Sequence, residues 1–155
     1  YKTARLKIDY PALKDALSER GKASITPLDV FEAVVDVRES KLPDPCQIPN
    51  VGSFFKNPVV SNQVLAALKD RYPNIISLPV DDQRVKLAAG WLIDHAGWKG
   101  HQEGGVGGHI SQALVLTNSG KRTVNEVIAL AHKIQDDIKE KFGISLEVEP
   151  RLIGP

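Results

Sequence analysis

Residues 123–143 read as one long amphipathic helix. Thr123 and Glu126 have capping-box spacing, Val127, Leu130, Ala131, Ile134, Ile138 and Phe142 recur at helical intervals, and Gly143 stands where a left-handed residue ends a helix. Each CH2 of such a stripe left in water costs about 0.8 kcal/mol, so the rest of the chain must cover this face along its whole length. Several segments can do so. The run 86–96 is apolar at helical spacing, with Trp91 its largest anchor and Gly97 at its end. Residues 113–117 form a short continuous apolar run, the mark of a buried strand, and Ile144, Leu146 and Val148 alternate with Ser145, Glu147 and Glu149 as in a strand with one apolar face. Ser61 can cap a helix carrying Val64, Leu65 and Leu68, which Pro73 ends. Helices interspersed with short strands predict an α+β fold, with residues 42–143 forming one core in which Trp91, Leu114, Leu116 and Phe142 are buried.

At 155 residues the chain can bury roughly two thirds of its unfolded surface. Twenty basic residues against 19 acidic ones argue against a nucleic-acid footprint or a membrane-surface partner. The single cysteine, Cys46, allows no internal disulfide and fits a reducing compartment, so a cytoplasmic location is expected. No apolar run approaches the roughly eighteen residues of a spanning helix. The absence of methionine and a start in mid-pattern are what a piece of a longer protein would show.

Two further divisions are legible. Residues 5–10 alternate polar with apolar and predict a strand; Leu13, Ala16 and Leu17 predict a short helix closing near Gly21. Thr26 before Pro27 is an N-cap followed by the proline favoured at a first helical position, and Val30, Phe31, Val34, Val35 and Val37 predict a broad apolar face on a helix running to about Lys41. Pro43, Pro45 and Pro49 then forbid regular structure, which sets a boundary between residues 1–41 and 42–155. Residues 71–84 read mostly as loop. The five glycines between Gly100 and Gly108 are too many for a helix and suit a close backbone approach.

Special-purpose residues concentrate at 50–58, where Gly52, Ser53, Lys56 and Asn57 stand together ahead of Pro58. Adjacent Phe54 and Phe55 point to opposite faces of an extended segment, so one can anchor it while the other borders a cleft. On its own residues the stretch is a turn with an aromatic anchor or a site. A hydrolase is disfavoured, because Phe55 occupies the place of the second glycine in a Gly-x-Ser-x-Gly elbow. The four histidines have no tight ligand spacing, which disfavours zinc, and His109 is expected to make a structural hydrogen bond. Gly104-Gly105-Val106-Gly107-Gly108 lacks the Gly-Lys-Ser/Thr ending of a phosphate loop.

Lys41-Leu42-Pro43-Asp44-Pro45, the 50–58 stretch, Lys86-Leu87-Ala88-Ala89-Gly90-Trp91-Leu92-Ile93, Gln112-Ala113-Leu114-Val115-Leu116 and the closing residues 146–154 together resemble, in order, the UDP-N-acetylenolpyruvoylglucosamine reductase (MurB) family. The likeness covers the later part of the family's sequence and not its earlier flavin-binding portion. It implies a small helix-and-short-sheet substrate-binding domain at 42–155, preceded at 1–41 by a strand-helix remnant of the flavin-binding domain. It also implies an oxidoreductase of peptidoglycan precursor synthesis, in which reduced FAD, recharged by NADPH, delivers hydride to the enolpyruvyl group of a UDP-sugar. The UDP-sugar and the missing flavin-binding portion are the expected partners. This chain alone is expected to hold neither cofactor and to be inactive. A rival class is a stand-alone nucleotide-sugar binding module without catalysis, and a third is an interaction domain in which the 50–58 loop is only structural.

By position within the resemblance, Ser53 matches the family's proton-donating serine and Glu149 its assisting glutamate. Lys41, Asn57, Lys99 and Gln112 match substrate contacts. Lysines suit a diphosphate and amides suit uracil or sugar edges, while a surface charge is the equal reading for Lys99. Hydride addition leaves enolate charge beside the carboxylate, and a proton must then reach the neighbouring carbon. Two departures from the family pattern stand out. Its Leu-Glu-Pro-Glu-Val-Arg order is replaced by Leu146-Glu147-Val148-Glu149-Pro150-Arg151, which keeps Glu147 open as the alternative to Glu149. The family's loop tyrosine falls at Leu78, so either Tyr72 takes its part or the diphosphate is held differently.

Overall fold

A computed structural model of the chain describes residues 6–21 and 24–153. They form two compact units, divided between Asp44 and Pro45. In the first, α1 (Pro11–Glu19) and α2 (Pro27–Lys41) enclose Leu13, Leu17 and Ala33. Thr26 closes the capping box of α2: its Oγ1 accepts from the Asp29 N–H at 3.3 Å, and its own N–H donates to Asp29 Oδ2 at 2.8 Å. Arg20 bridges Glu32 at 2.8 Å and Asp36 at 2.5 Å.

Two expectations change here. The strand over 5–10 does not form among the described residues: 6–9 carry no strand pairing, and the unit holds no described strand to pair with, while Arg5 lies outside the described residues. The broad apolar face of α2 is only partly used, Phe31 being 65% and Val34 38% exposed, because a helix pair of this size covers one narrow stripe.

The second unit is built on the long helix. α5 (Val124–Phe142) starts at the Thr123–Glu126 capping box and ends at Gly143, whose φ of 70° is the left-handed cap expected from sequence. Leu130, Ala131, Ile134, Ile138 and Phe142 are buried along it. The covering surface comes from two antiparallel sheets. One has the order β1-β7-β6-β5, from β1 (Asn50–Ser53), β7 (Val115–Asn118), β6 (Val106–Gly108) and β5 (Gln102–Glu103). The other has the order β2-β4-β3, from β2 (Val59–Ser61), β4 (Arg84–Leu87) and β3 (Ser77–Pro79). α3 (Asn62–Arg71) and α4 (Ala89–His95) complete the core with Leu68, Leu92 and Ile93. Leu116 and Phe142 are buried as expected, whereas Leu114 and Trp91 are half-buried against the core. Trp91 lies flat on His95, with ring centroids 4.6 Å apart, at the edge of a cluster with Tyr72 and Phe142.

The expected helix over 86–96 divides in two. Residues 84–87 join β4, where Val85 and Leu87 face inward and Arg84 and Lys86 outward, and helix begins only at Ala89. The supposed loop before it contains β3, pairing Leu78 with Lys86. The glycine-rich segment is the β5–β6 hairpin, turned at Gly104 and Gly105. The expected closing strand is extended and has its alternation, with Ile144 and Leu146 buried and Ser145 and Glu147 exposed, but it pairs only through one bridge, Val148 to Phe55. Gln135 Nε2 holds this segment to α5 by donating to the Leu146 carbonyl at 2.7 Å.

Candidate active site

Ser53 ends β1 opposite Val115 of β7, and the pairing is irregular between Asn50 and Ser53. Gly52 makes that irregularity possible. Its φ of 76° is a conformation that side chains resist, and its N–H is held by Asn50 Oδ1 at 2.9 Å. Past the irregularity the chain runs straight into the core: Phe54 and Phe55 are 4% and 1% exposed and meet edge to face at 5.5 Å. Both rings are anchors, and they do point to opposite sides, each lining a different cavity.

The cavity on the Phe55 side, about 320 Å³, gathers polar and charged side chains. Ser53, Lys56, Asn57, Lys86 and Glu149 line it around Phe55 and Leu114. The Phe54 side has a larger groove of about 470 Å³ with a mostly apolar wall including Val51, Leu116, Val127 and Leu152, and none of the candidate residues reaches it. Size alone would choose the groove; the hydroxyl, amide and charged groups choose the smaller cavity.

Four backbone or side-chain ties fix its walls. The Phe54 N–H donates to the Leu114 carbonyl at 2.7 Å, the Lys56 N–H to the Glu147 carbonyl at 2.8 Å, and the Glu149 N–H to the Phe54 carbonyl at 3.0 Å. These last two flank the Phe55–Val148 bridge and carry Glu149 to the cavity, with Pro150 following the clamp. The fourth tie is Asn57 Oδ1, which accepts the Ala89 N–H at 2.8 Å. Ala88, at the head of α4, offers no side-chain cap of its own, so Asn57, 32 positions before Ala89, supplies it.

The two glutamates are separated by their partners. Glu147 forms an ion pair with Lys56 and does not line the cavity, whereas Glu149 does. Lys56 is therefore neutralised at the rim. Lys86 also lines the cavity and was not singled out from sequence; its position in an apparently helical run hid it, and strand alternation over 84–87 was the signal that could have placed it outward.

The sequence-derived substrate contacts are not all gathered here. Asn57 lines the cavity. Lys99 is paired with Asp94 at 3.0 Å, Gln112 is half-buried and gives its carbonyl to the Val115 N–H, and neither lines it. Lys41 belongs to the first unit, where its Nζ reaches the Tyr10 hydroxyl at 3.5 Å. Tyr72 is committed elsewhere, its hydroxyl donating to the Lys141 carbonyl at 3.3 Å, while Leu78 is 65% exposed on β3.

Among the described residues there is no cluster of ligating side chains fit for a metal ion and no helix long and apolar enough to cross a membrane. The glycine-rich turn is closed by its own neighbours: a Cβ at Gly105 would meet Ser119 Oγ at 2.7 Å and Arg122 Nε at 3.1 Å.

Comparison with known proteins gives this geometry a family. Residues 44–153 match the family described as UDP-N-acetylenolpyruvoylglucosamine reductase, C-terminal domain. The UDP-N-acetylenolpyruvoylglucosamine reductase of Pseudomonas syringae pv. syringae is 46% identical over 151 residues, which are 97% of this chain and 44% of the relative. That of Chromobacterium violaceum is 50% identical over 150 residues, again 97% and 44%, and that of Burkholderia ambifaria 49% over 146 residues, 93% and 42%. The chain thus spans less than half the length of the curated relatives it matches. The match extends across most of the second unit, including every wall of the Ser53 cavity, and the chain belongs to the family of the UDP-N-acetylenolpyruvoylglucosamine reductase C-terminal domain.

Proposed function

We propose that this chain is the substrate-binding part of a flavin- and NADPH-dependent reductase that converts the enolpyruvyl group of UDP-N-acetylglucosamine enolpyruvate to the lactyl group of UDP-N-acetylmuramate, for peptidoglycan precursors. The observation that carries this reading is that Ser53 and Glu149, distant in sequence, line one cavity together with Asn57. The relatives' names supply the reaction class. FAD and the path for NADPH belong to the portion of the protein beyond this chain, and the flavin there supplies the hydride.

The residues of this chain handle the proton and the substrate. Ser53 gives its Oγ proton to the alkene carbon next to the one that receives hydride, and Glu149 assists across the cavity. A serine is a weak acid, so the fixed positions of both groups must do much of the work: near-attack placement can be worth about 7–11 kcal/mol of barrier. The clamp around Phe55 and Val148 supports this by holding both walls on backbone hydrogen bonds. Asn57, its carbonyl end occupied by Ala89, offers its amide hydrogens to the substrate.

The test uses the full-length enzyme and separates its half-reactions by stopped flow. Ser53→Ala should slow flavin reoxidation by the enolpyruvyl substrate by roughly 10²-fold or more, the scale of a lost general acid, and leave flavin reduction by NADPH unchanged. Equal slowing of both half-reactions would show that Ser53 acts only through structure.

A further inference from the structure

We propose that Lys86 is the anion-binding residue of the Ser53 cavity, engaging a negatively charged oxygen of the substrate; this rests on the functional reading above and adds a residue to it. Two lysines line the cavity. Lys56 is paired with Glu147 and so brings no net charge. The Lys86 ammonium has no hydrogen bond or ion pair with any described residue, and it is left as the cation that a ligand can use.

Its placement suits that task. Lys86 sits at the middle of the three-stranded sheet, with Val59 opposite it on one side and Leu78 on the other. All three side chains share the outward face, with Val59 45% and Leu78 65% exposed. The methylene stem of Lys86 can lie along these two apolar neighbours. The strand is pinned beside the site, because the Leu87 N–H donates to the Pro58 carbonyl at 2.9 Å. Glu149 is the cavity's carboxylate, and an anionic ligand needs an opposing positive charge to approach it.

The ligand class is a carboxylate or a diphosphate, both of which the proposed substrate carries. In the full-length enzyme, Lys86→Ala should weaken substrate binding, read as KM and as Kd by titration calorimetry, by about tenfold or more, the scale of a lost charge-assisted hydrogen bond. kcat at saturation should stay within about threefold, since the contact holds substrate rather than moving a proton. Lys86→Arg should recover most of the affinity and Lys86→Gln should not, and because both keep a long stem, recovery by arginine alone assigns the effect to charge.

UDP-N-acetylglucosamine separates the two anions. Weakened binding of both it and the enolpyruvyl substrate assigns Lys86 to the diphosphate, and weakened binding of the enolpyruvyl substrate alone assigns it to the carboxylate. A Lys86→Ala enzyme with unaltered KM and Kd, beside a wild type that reduces the substrate, overturns the proposal and leaves the functional reading standing. A wild type that does not reduce the substrate overturns both.

Discussion

Asn57 has two ends with two tasks, and a pair of substitutions pulls them apart. Its Oδ1 caps the Ala89 N–H from across the fold, while the residue also lines the cavity, where the proposed reading gives its amide hydrogens to the substrate. Asn57→Ala removes the acceptor from a partly buried donor at the head of α4. A lost cap bond of this kind costs about 1–2 kcal/mol, which for a unit of this size lowers Tm by about 3–6 °C. Asn57→Asp keeps an oxygen in place and adds charge at the positive end of a short helix, worth a few tenths of a kcal/mol, so its melt should stay within about 2 °C of wild type. Binding should rank the other way. Aspartate loses the amide donors and sets a second carboxylate near Glu149, where it repels an anionic substrate; alanine only loses the donors. Thermal denaturation of this chain by circular dichroism and KM for the enolpyruvyl substrate in the full-length enzyme should thus give opposite orders for the two variants. The same order in both assays would refute the division of labour.

The core prediction follows burial rather than size. Ile134, fully buried on α5, should lose about 2–5 kcal/mol on substitution by alanine, while Trp91→Ala, at a half-buried site, should lose less despite the larger side chain; urea denaturation of both variants checks the ranking. At the start of α5, hydrogen bonds from the Thr123 backbone N–H and then its hydroxyl hold the Glu126 carboxyl below its ordinary value of 4.5. A depressed carboxylate contributes stability above its unfolded value and loses it as pH falls through the folded one. Acidification below about pH 4.5 should therefore narrow the Tm difference between wild type and Glu126→Gln, and a difference constant from pH 7 to pH 3 would contradict the capping role.

What could be read from sequence was what depends on neighbours in the chain. The N-cap at Thr26, the capping box at Thr123, the left-handed Gly143 and the alternation of Ile144, Leu146 and Val148 are local signals, and the structure carries each of them. The misreadings came from distant partners. Residues 86–96 have helical periodicity throughout, yet Lys86 and Leu87 are drawn into a sheet by β2 and β3, and Asn57 sets where the helix can begin. The pairing of Lys56 with Glu147 likewise has no local signature, although it distinguishes the two glutamates at the cavity. On α2, periodicity marked an apolar face without showing how little of it a two-helix unit would bury.

The clamp around Phe55 also sets when the cavity can come into existence. Lys56 and Glu147 are 91 positions apart, so the walls join only after nearly the whole second unit has been made and the last extended segment has emerged. α5 can form from local contacts as it is synthesised, but the Ser53 loop must wait for a partner at the opposite end of the unit, among the last contacts that loop closure allows. Residues 151–153, which follow the same segment, are exposed, and exposed backbone of this kind is where proteases act first. Trimming just past Leu146 would take Glu149 away while leaving α5 and most of the sheets intact, so a sample can look folded by its helix signal and already have lost one wall of its cavity.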